Sequence, residues 1–579
     1  MSADNTRSSV SAAGRSWSAF FPPAQWLARY QLPWLRSDIV AGVTLAAYGI
    51  PVSLAYATLA GLPPQYGIYC YLVAGPAYAL FGSSRQLAIG PTSAISMLVG
   101  TTLIGMAEGD PQRWAAIAAL TALIFASMSI VAWLLKLSSL VSFISETILL
   151  GFKAGAALTI AMTQLPKLFG VKGGGENFFE RAWTLATQLG GTNIAVLVFG
   201  LCAIGLLVAG EKLFPGRPIA LFVVVVSIVA LSVTPLAQLG FNTVGALPAG
   251  LPDLALPSLR ARDVDGVIPL AFACFLLAYI EGVSAARTLA QRHGYEIDAR
   301  QELLALGAAN VAAAFGQGYP VAGGLSQSTV NDKAGARTPL ALVFASLTIG
   351  ICLVFLTGLL ANLPNVVLAA IVLVAVKGLI NVPELRRVRE LSRMEFWVAM
   401  AAFAGVLLLG ILNGVLLAAA VSMLLLIRRA AHPHVARLGR ISGTNRYSDC
   451  ERNPDNQVVP GVLIVRVESS ILYFNVDHVR DRVRAYIAAT PEDVRLVVWD
   501  LSSSPYVDIA GVRMLGELHR ELAARGAALR IVEARATVRD LLRAEIGVSV
   551  GEVSRRLSID DAIAGATSGP LEQKDERTS

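Results

Sequence analysis

The sequence predicts a polytopic α-helical membrane domain followed by a small α/β domain, and three observations predict it. Apolar runs follow one another from Asp38 to Ile427, each near the roughly 20 residues a helix needs to cross a bilayer's hydrocarbon. Two of these runs are broken by tracts rich in Gly and Pro. After Arg428-Arg429 the chain turns polar, and strand and helix patterns then alternate. Composition agrees: 55% of the 579 residues are hydrophobic, 15% are charged, and mean hydropathy is +0.61. An ordinary water-soluble protein is excluded. A transmembrane barrel is disfavoured too, because these runs are too long and too uniformly apolar for alternating strands.

Residues 1–36 form a polar N-terminal segment with Arg7, Arg15, Arg29 and Arg36, and with Trp17, Phe20, Phe21 and Trp26 suited to a membrane interface. Membrane segments are expected within 37–430, near 38–58, 66–82, 87–107, 114–135, 140–168, 193–209, 218–236, 266–290, 302–316, 322–335, 339–361, 364–380, 394–411 and 413–428. With the N-terminus inside, the inner loops collect Arg85, Lys136, Lys212, Arg217, Arg292, Arg300, Lys333, Arg337 and the run from Arg386 to Arg393. Fewer basic residues fall outside. That bias places both termini in the cytoplasm and accounts for the net charge of +7 without nucleic acid. The five cysteines stand far apart, and no metal site or cofactor is expected.

Residues 431–456 read as a polar linker and 457–564 as a soluble α/β domain. Within the latter, Val462–Val467, Ile471–Phe474, Leu496–Leu501 and Ala528–Val532 have strand character. Val476–Ile487, Ile509–Arg525 and Thr537–Ala544 have helical character. The tail 565–579 reads as disordered.

The two breaks carry the functional information. Ser84 to Ala94 interrupts one apolar run, and Tyr319 to Ser328 another. Irregular backbone at membrane depth survives only where it is packed in protein or lines a wet cavity. A half-helix that starts there aims its free N–H groups and positive dipole end into that cavity. Two such starts in corresponding halves of a chain mark the binding site of a secondary transporter, and they suit an anion.

Tyr56-Ala-Thr-Leu-Ala-Gly-Leu-Pro-Pro-Gln-Tyr-Gly67, Leu80-Phe-Gly-Ser-Ser-Arg85 and Ala334-Gly-Ala-Arg-Thr338 resemble motifs of the sulfate permease (SulP) family, related to animal solute-carrier family 26. Asp500-Leu-Ser502 and Asp508-Ile-Ala-Gly511 resemble the signature of a STAS domain. The resemblance spans nearly the whole chain. It implies fourteen membrane segments in two inverted repeats of seven, divided into core and gate, with a cytoplasmic STAS domain and a homodimeric assembly. It also implies a bacterial inner-membrane transporter of a small anion, sulfate or a relative, working by alternating access. A sodium-dependent bicarbonate carrier, an anion channel and a membrane receptor signalling through STAS are the rival classes.

In this light Gly324, Leu325 and Ser326 open the tenth segment, and Thr92, Ser93 and Ala94 with Pro91 oppose them across the substrate. Gln327 stands where many relatives carry an arginine, so the positive field is expected from helix ends, amide dipoles or a coupling cation. Tyr48 and Pro51 are further substrate-site candidates, because Gly49-Ile50-Pro51 reads as a break, and Tyr56 stands nearby. Glu281 is an acid at membrane depth, expensive there and therefore a functional candidate. The resemblance assigns it coupling to H⁺ or Na⁺, and H⁺ is preferred because no second acid stands on the adjacent helical turns. Lys153 and Glu146 read as a structural pair or cavity-edge residues, Asn310 as an interhelical hydrogen bond. STAS is expected to serve regulation or assembly, with cytoplasmic regulators as possible partners beside the lipid bilayer. Its family's phosphorylation switch is not expected, since Ile509 and Ala510 follow Asp508. No enzymatic motif is present.

Overall fold

The computed structural model describes residues 26–27 and 30–567 apart from 104–105, 107–109, 139–145, 176, 215–216, 235–238, 249, 258–259, 491–492 and 547–556. The chain divides into two compact units, residues 1–422 and 423–579.

The first unit is helical apart from two short strands. Its helices are α1 (Leu32–Leu59), α2 (Gln65–Phe81), α3 (Ser93–Leu103), α4 (Pro111–Leu134), α5 (Glu146–Phe169), α6 (Phe178–Gln188), α7 (Ile194–Leu213) and α8 (Ile219–Val233). The series continues with α9 (Ala261–His293), α10 (Ala299–Phe315), α11 (Leu325–Lys333), α12 (Leu340–Phe355), α13 (Asn365–Lys377), α14 (Val382–Leu391), α15 (Arg393–Leu409) and α16 (Ile411–Ala431). Seven helices among the described residues are long and apolar enough to cross a membrane, and α3, α8 and α12 are shorter apolar helices. Local chemistry sets the ends. Asp110, Asn193 and Asp298 cap α4, α7 and α10 by accepting first-turn amides. Gly294 closes α9 in the left-handed region, at φ 67°.

Packing divides these helices. In one group α9 and α10 lie against α4, α10 against α2, and α12 against α1 and α2. In the other, α5 lies against α7, α13 and α15. Gly151 makes the α5–α15 approach possible, because a Cβ there would strike the Ala399 carbonyl. Asp38, fully buried on α1, accepts the amides of Arg337 (2.7 Å) and Thr338 (3.1 Å) and the Thr338 hydroxyl (2.7 Å). It thereby ties α1 to the turn before α12.

Two expectations fail here. Gly49-Ile50-Pro51 does not unwind: α1 runs unbroken through Pro51. The missing Pro51 N–H deprives only the Ala47 carbonyl of its helical donor, and a membrane helix tolerates that when its neighbours pack well. The stretches around 178–188 and 382–391, taken as loops, form the amphipathic helices α6 and α14.

The second unit is a five-stranded sheet ordered β4 (Tyr447–Asp449), β3 (Val435–Arg440), β5 (Val462–Val467), β6 (Leu496–Asp500) and β7 (Ala528–Val532). Here β1 (Ile89–Gly90) and β2 (Ala322–Gly323) are the two short strands of the first unit. β3 is antiparallel to β4 and β5, while β5, β6 and β7 run parallel. Trp499 and Val465 face a core shared with α17 (Val476–Ala489), α18 (Ile509–Ala524) and α19 (Ala536–Ile546). Val498 and Ile464 face α20 (Ile559–Thr567) through Ala562.

The reading of 431–456 as a linker is thus corrected, because β3 and β4 lie within it. Arg437 and Arg440 interrupt the apolar pattern of β3 and hid it. Ile471–Phe474 is not a strand either: Ile471 bridges only Val507, and Asn475 turns the chain by accepting the Leu472 amide (2.9 Å). α20 runs to Thr567, past the expected start of the tail, and the rest of that tail lies outside the described residues.

Candidate functional site

Both broken tracts become strand–helix junctions, and the junctions meet. β1 pairs antiparallel with β2, Ile89 opposite Gly323 and Gly90 opposite Ala322. Antiparallel strands deliver their following helices from opposite directions, so α3 and α11 start on either side of one point. The methyl of Thr92 lies 3.5 Å from where a Gly324 side chain would begin.

Side chains of α11 fasten the first tract. The Ala88 amide donates to Ser328 Oγ (2.9 Å), which donates to the Gly324 carbonyl (2.7 Å). Asn331 Nδ2 donates to the Gln86 carbonyl (3.0 Å), and Gln327 Nε2 to the Pro91 carbonyl (2.6 Å). A carbonyl only accepts, so the Gln327 amide orientation is set. The second tract is held from behind: Val321 N–H donates to Asn310 Oδ1 (2.9 Å) and Asn310 Nδ2 donates back to the Val321 carbonyl (3.1 Å). Asn310 thus copies a strand's pairing edge.

Glu302 on α10 anchors the approach to the first tract. It is buried and accepts from Tyr78 Oη (2.8 Å), Ser83 N–H (2.9 Å), Ser83 Oγ (2.6 Å) and Ser84 N–H (3.1 Å). Four donors replace the water a buried carboxylate loses.

The helix starts are uncapped by side chains where the junctions meet. Gly324 opens α11 with no capping side chain, and the first intrahelical amides of α11 and α3 are those of Ser328 and Ser96. The amides of residues 93–95 and 325–327 therefore lack an intrahelical acceptor. Around them stand hydroxyls. Thr92 is buried, and its Oγ1 has no hydrogen-bond partner among the described residues. Ser93 and Ala94 are buried beside it, with Tyr56 of α1 facing Ser93. Leu325 and Ser326 are exposed. Tyr48 is partly buried on α1 next to Tyr56 and Glu211, while Pro51 is buried inside the same helix. An electron-rich group at the two helix starts would meet amides and hydroxyls.

The junction brings Thr92, Ser93, Ala94, Gly324, Leu325 and Ser326 to one place, and three residues differ from the expectation. Gln327 is buried and its nitrogen is committed to Pro91, so it braces the junction. Ser328 is likewise committed on both sides. Glu281, expected as an isolated acid, is paired: Lys153 Nζ of α5 lies 3.4 Å from its carboxylate, with side chains 28% and 12% exposed respectively. Gly282 follows it against Gly323, whose added Cβ would meet the Gly282 Cα at 3.1 Å. Glu281 thus sits one residue from the junction. A lysine at membrane depth between Gly151 and Gly155 was the signal for this pair, and the spacing alone named no partner. The side chain of Glu146 lies outside the described residues.

The family model "Sulfate permease family" matches residues 35–402, and the model "STAS domain" matches residues 453–548. A probable sulfate transporter of Mycobacterium tuberculosis is 35% identical over 515 residues, covering 89% of this chain and 92% of that one. Sulfate transporter 4.1, chloroplastic, of Arabidopsis thaliana is 30% identical, covering 88% and 77%. Among solved structures, the murine Solute Carrier 26 family member A9 anion transporter superposes with a TM-score of 0.87 at 24% identity, covering 97% of this chain and 96% of that one. The transmembrane domain of the cyanobacterial bicarbonate transporter BicA gives 0.61 at 22% identity, covering 66% and 98%. With a helical membrane unit, a STAS unit and relatives over most of its length, this chain belongs to the sulfate permease (SulP/solute carrier 26) family of anion transporters.

Proposed function

We propose that this protein is a secondary active transporter of a small oxyanion, with sulfate the first candidate, driven by protons and working by alternating access. The observation that carries the proposal is the paired junction: two uncapped half-helix starts brought together by β1 and β2. They offer amides, hydroxyls and two positive dipole ends to one anion. The relatives named as sulfate transporters support sulfate as the substrate. In this reading the fourteen apolar segments form two inverted repeats of seven in the inner membrane, with both termini cytoplasmic. The group around α9 and α10 carries the site and the group around α5 gates it. A homodimer is the assembly, and the STAS unit serves regulation.

Glu281 is the coupling group. A carboxylate beside an anion repels it, and a proton removes the repulsion, so each ligand favours the other. Reconstituted in liposomes without sodium, the wild type is expected to accumulate sulfate faster when an inward proton gradient is imposed. Glu281→Gln, the neutral mimic, should keep sulfate exchange and lose that acceleration. Uptake driven by a sodium gradient alone would move the role of Glu281 to Na⁺, and a mutant still concentrating sulfate on a pH gradient would remove Glu281 as the coupling residue.

A further inference from the structure

Resting on the anion-carrier reading above, we propose that Lys153 is the positive charge of the anion site, shared between Glu281 and the substrate. Gln327 brings no charge to the junction, and its nitrogen is held by the Pro91 carbonyl at 2.6 Å. The ammonium of Lys153 instead arrives from another helix and stops 3.4 Å from the Glu281 carboxylate.

The local sequence explains this placement. In Gly151-Phe-Lys-Ala-Gly155 the two glycines are four residues apart and share one face of α5. Both are pressed into α15, Gly151 against the Ala399 backbone and Gly155 against Phe403 O and Val406 Cβ, each 2.9 Å from an added Cβ. Lys153 is two residues from each, on roughly the opposite face. That face meets α3 and Glu281 of α9. The glycines thus press one side of α5 into its own helix group while the lysine reaches across to the other.

Among the described residues, Lys153 is the one cation in an ion pair with Glu281. Tyr56 faces the carboxylate from α1. α3 has no charged residue, and the charges of α11, Asp332 and Lys333, are at its far end, where Asp332 pairs with His293 and Arg292. Glu302 of α10 is enclosed by its own donors, and Arg113 of α4 pairs with Asp263.

A lysine suits exchange between partners. Its ammonium is a point charge on a flexible four-carbon stem, without the fixed fork of an arginine. Glu281 is one residue from the Gly282–Gly323 contact, so an anion at the amides of α11 is a second acceptor for the same ammonium. When the anion takes Lys153, Glu281 loses its counter-charge and gains a negative neighbour, and both changes favour its protonation. Proton and anion then bind cooperatively through the exchange of one ammonium.

Equilibrium binding of radiolabelled sulfate to the purified full-length protein in nanodiscs tests this. Glu281→Gln leaves Lys153 without its protein partner and binds sulfate at least as tightly as the wild type. Adding Lys153→Met to that variant weakens binding about tenfold or more, the scale of one charge-assisted hydrogen bond, and Lys153→Arg in the same background restores most of it. The double variant buries no unpaired charge, so loss of fold does not obscure the comparison, and thermal unfolding monitors it. A merely structural ion pair is already broken in Glu281→Gln. Equal sulfate affinity in Glu281→Gln and in the double variant would therefore overturn the proposal while leaving the carrier reading intact. Absence of saturable binding of sulfate, bicarbonate and chloride to the wild type would overturn both.

Discussion

Glu302 and Ser326 show how differently two polar residues stand around one junction. Glu302 is sealed inside, and its two oxygens organise Tyr78, Ser83 and Ser84 ahead of the first tract. Replacing one oxygen by an NH₂ sets a donor against the hydroxyl and amide donors it accepts from. Glu302→Gln is expected to cost about 1–3 kcal/mol, read as a lower unfolding midpoint in detergent, and to reduce sulfate uptake with it. Ser326 is exposed at the first turn of α11, so size there changes the site and leaves the packing alone. Ser326→Trp is expected to abolish uptake while stability stays within about 0.5 kcal/mol of wild type, as for other surface changes. Undiminished sulfate affinity in that variant would remove Ser326 from the site.

At the scale of elements, the junction is a composite of three pieces. α11 binds the first tract through Gln327, Ser328 and Asn331 at i, i+1 and i+4, one polar face of a nine-residue helix. β1 and β2 set the register, and α9 closes on them where Gly282 meets Gly323. Small residues there let two backbones touch. Gly323→Ala puts a Cβ 2.9 Å from a Leu87 methyl and 3.1 Å from the Gly282 Cα. The expected cost is about 1–3 kcal/mol of overpacking. Since α9 carries Glu281, uptake should fall more than the unfolding midpoint does, and unchanged uptake would show that the contact does not position the acid.

For the whole molecule, the structure moves the start of the STAS unit. β3 lies between β4 and β5, so a fragment beginning at residue 457 lacks two strands and leaves β5 as a bare edge with both faces apolar. Such an edge is an aggregation site. A fragment of residues 432–567 should be soluble and monomeric by size-exclusion chromatography, and one of residues 457–567 should aggregate. Ending the chain after Ala431 should preserve sulfate binding by the membrane unit, and loss of binding in a folded truncation would give STAS a part in the site itself.

The sequence by itself determined the class of this protein and the whereabouts of its two broken tracts. Apolar length marked the membrane unit, since hydrocarbon demands it. Gly and Pro at membrane depth marked both broken tracts, because only a packed or wet environment tolerates such backbone. Strand and helix periods located β5, β6, β7, α17, α18 and α19 within a few residues. Tertiary structure decided what local pattern does not encode. The apolar signal of β3 was masked by its arginines and emerged only through its neighbours in the sheet. Pro51 stayed helical because surrounding helices held it. Gln327 became a brace and Asn310 a surrogate strand edge, both by reaching segments distant or folded back in the chain. Glu281 gained Lys153, 128 residues away in numbering (281 − 153). An ion pair depends on where two helices place their charges, and spacing along the chain carries no record of that.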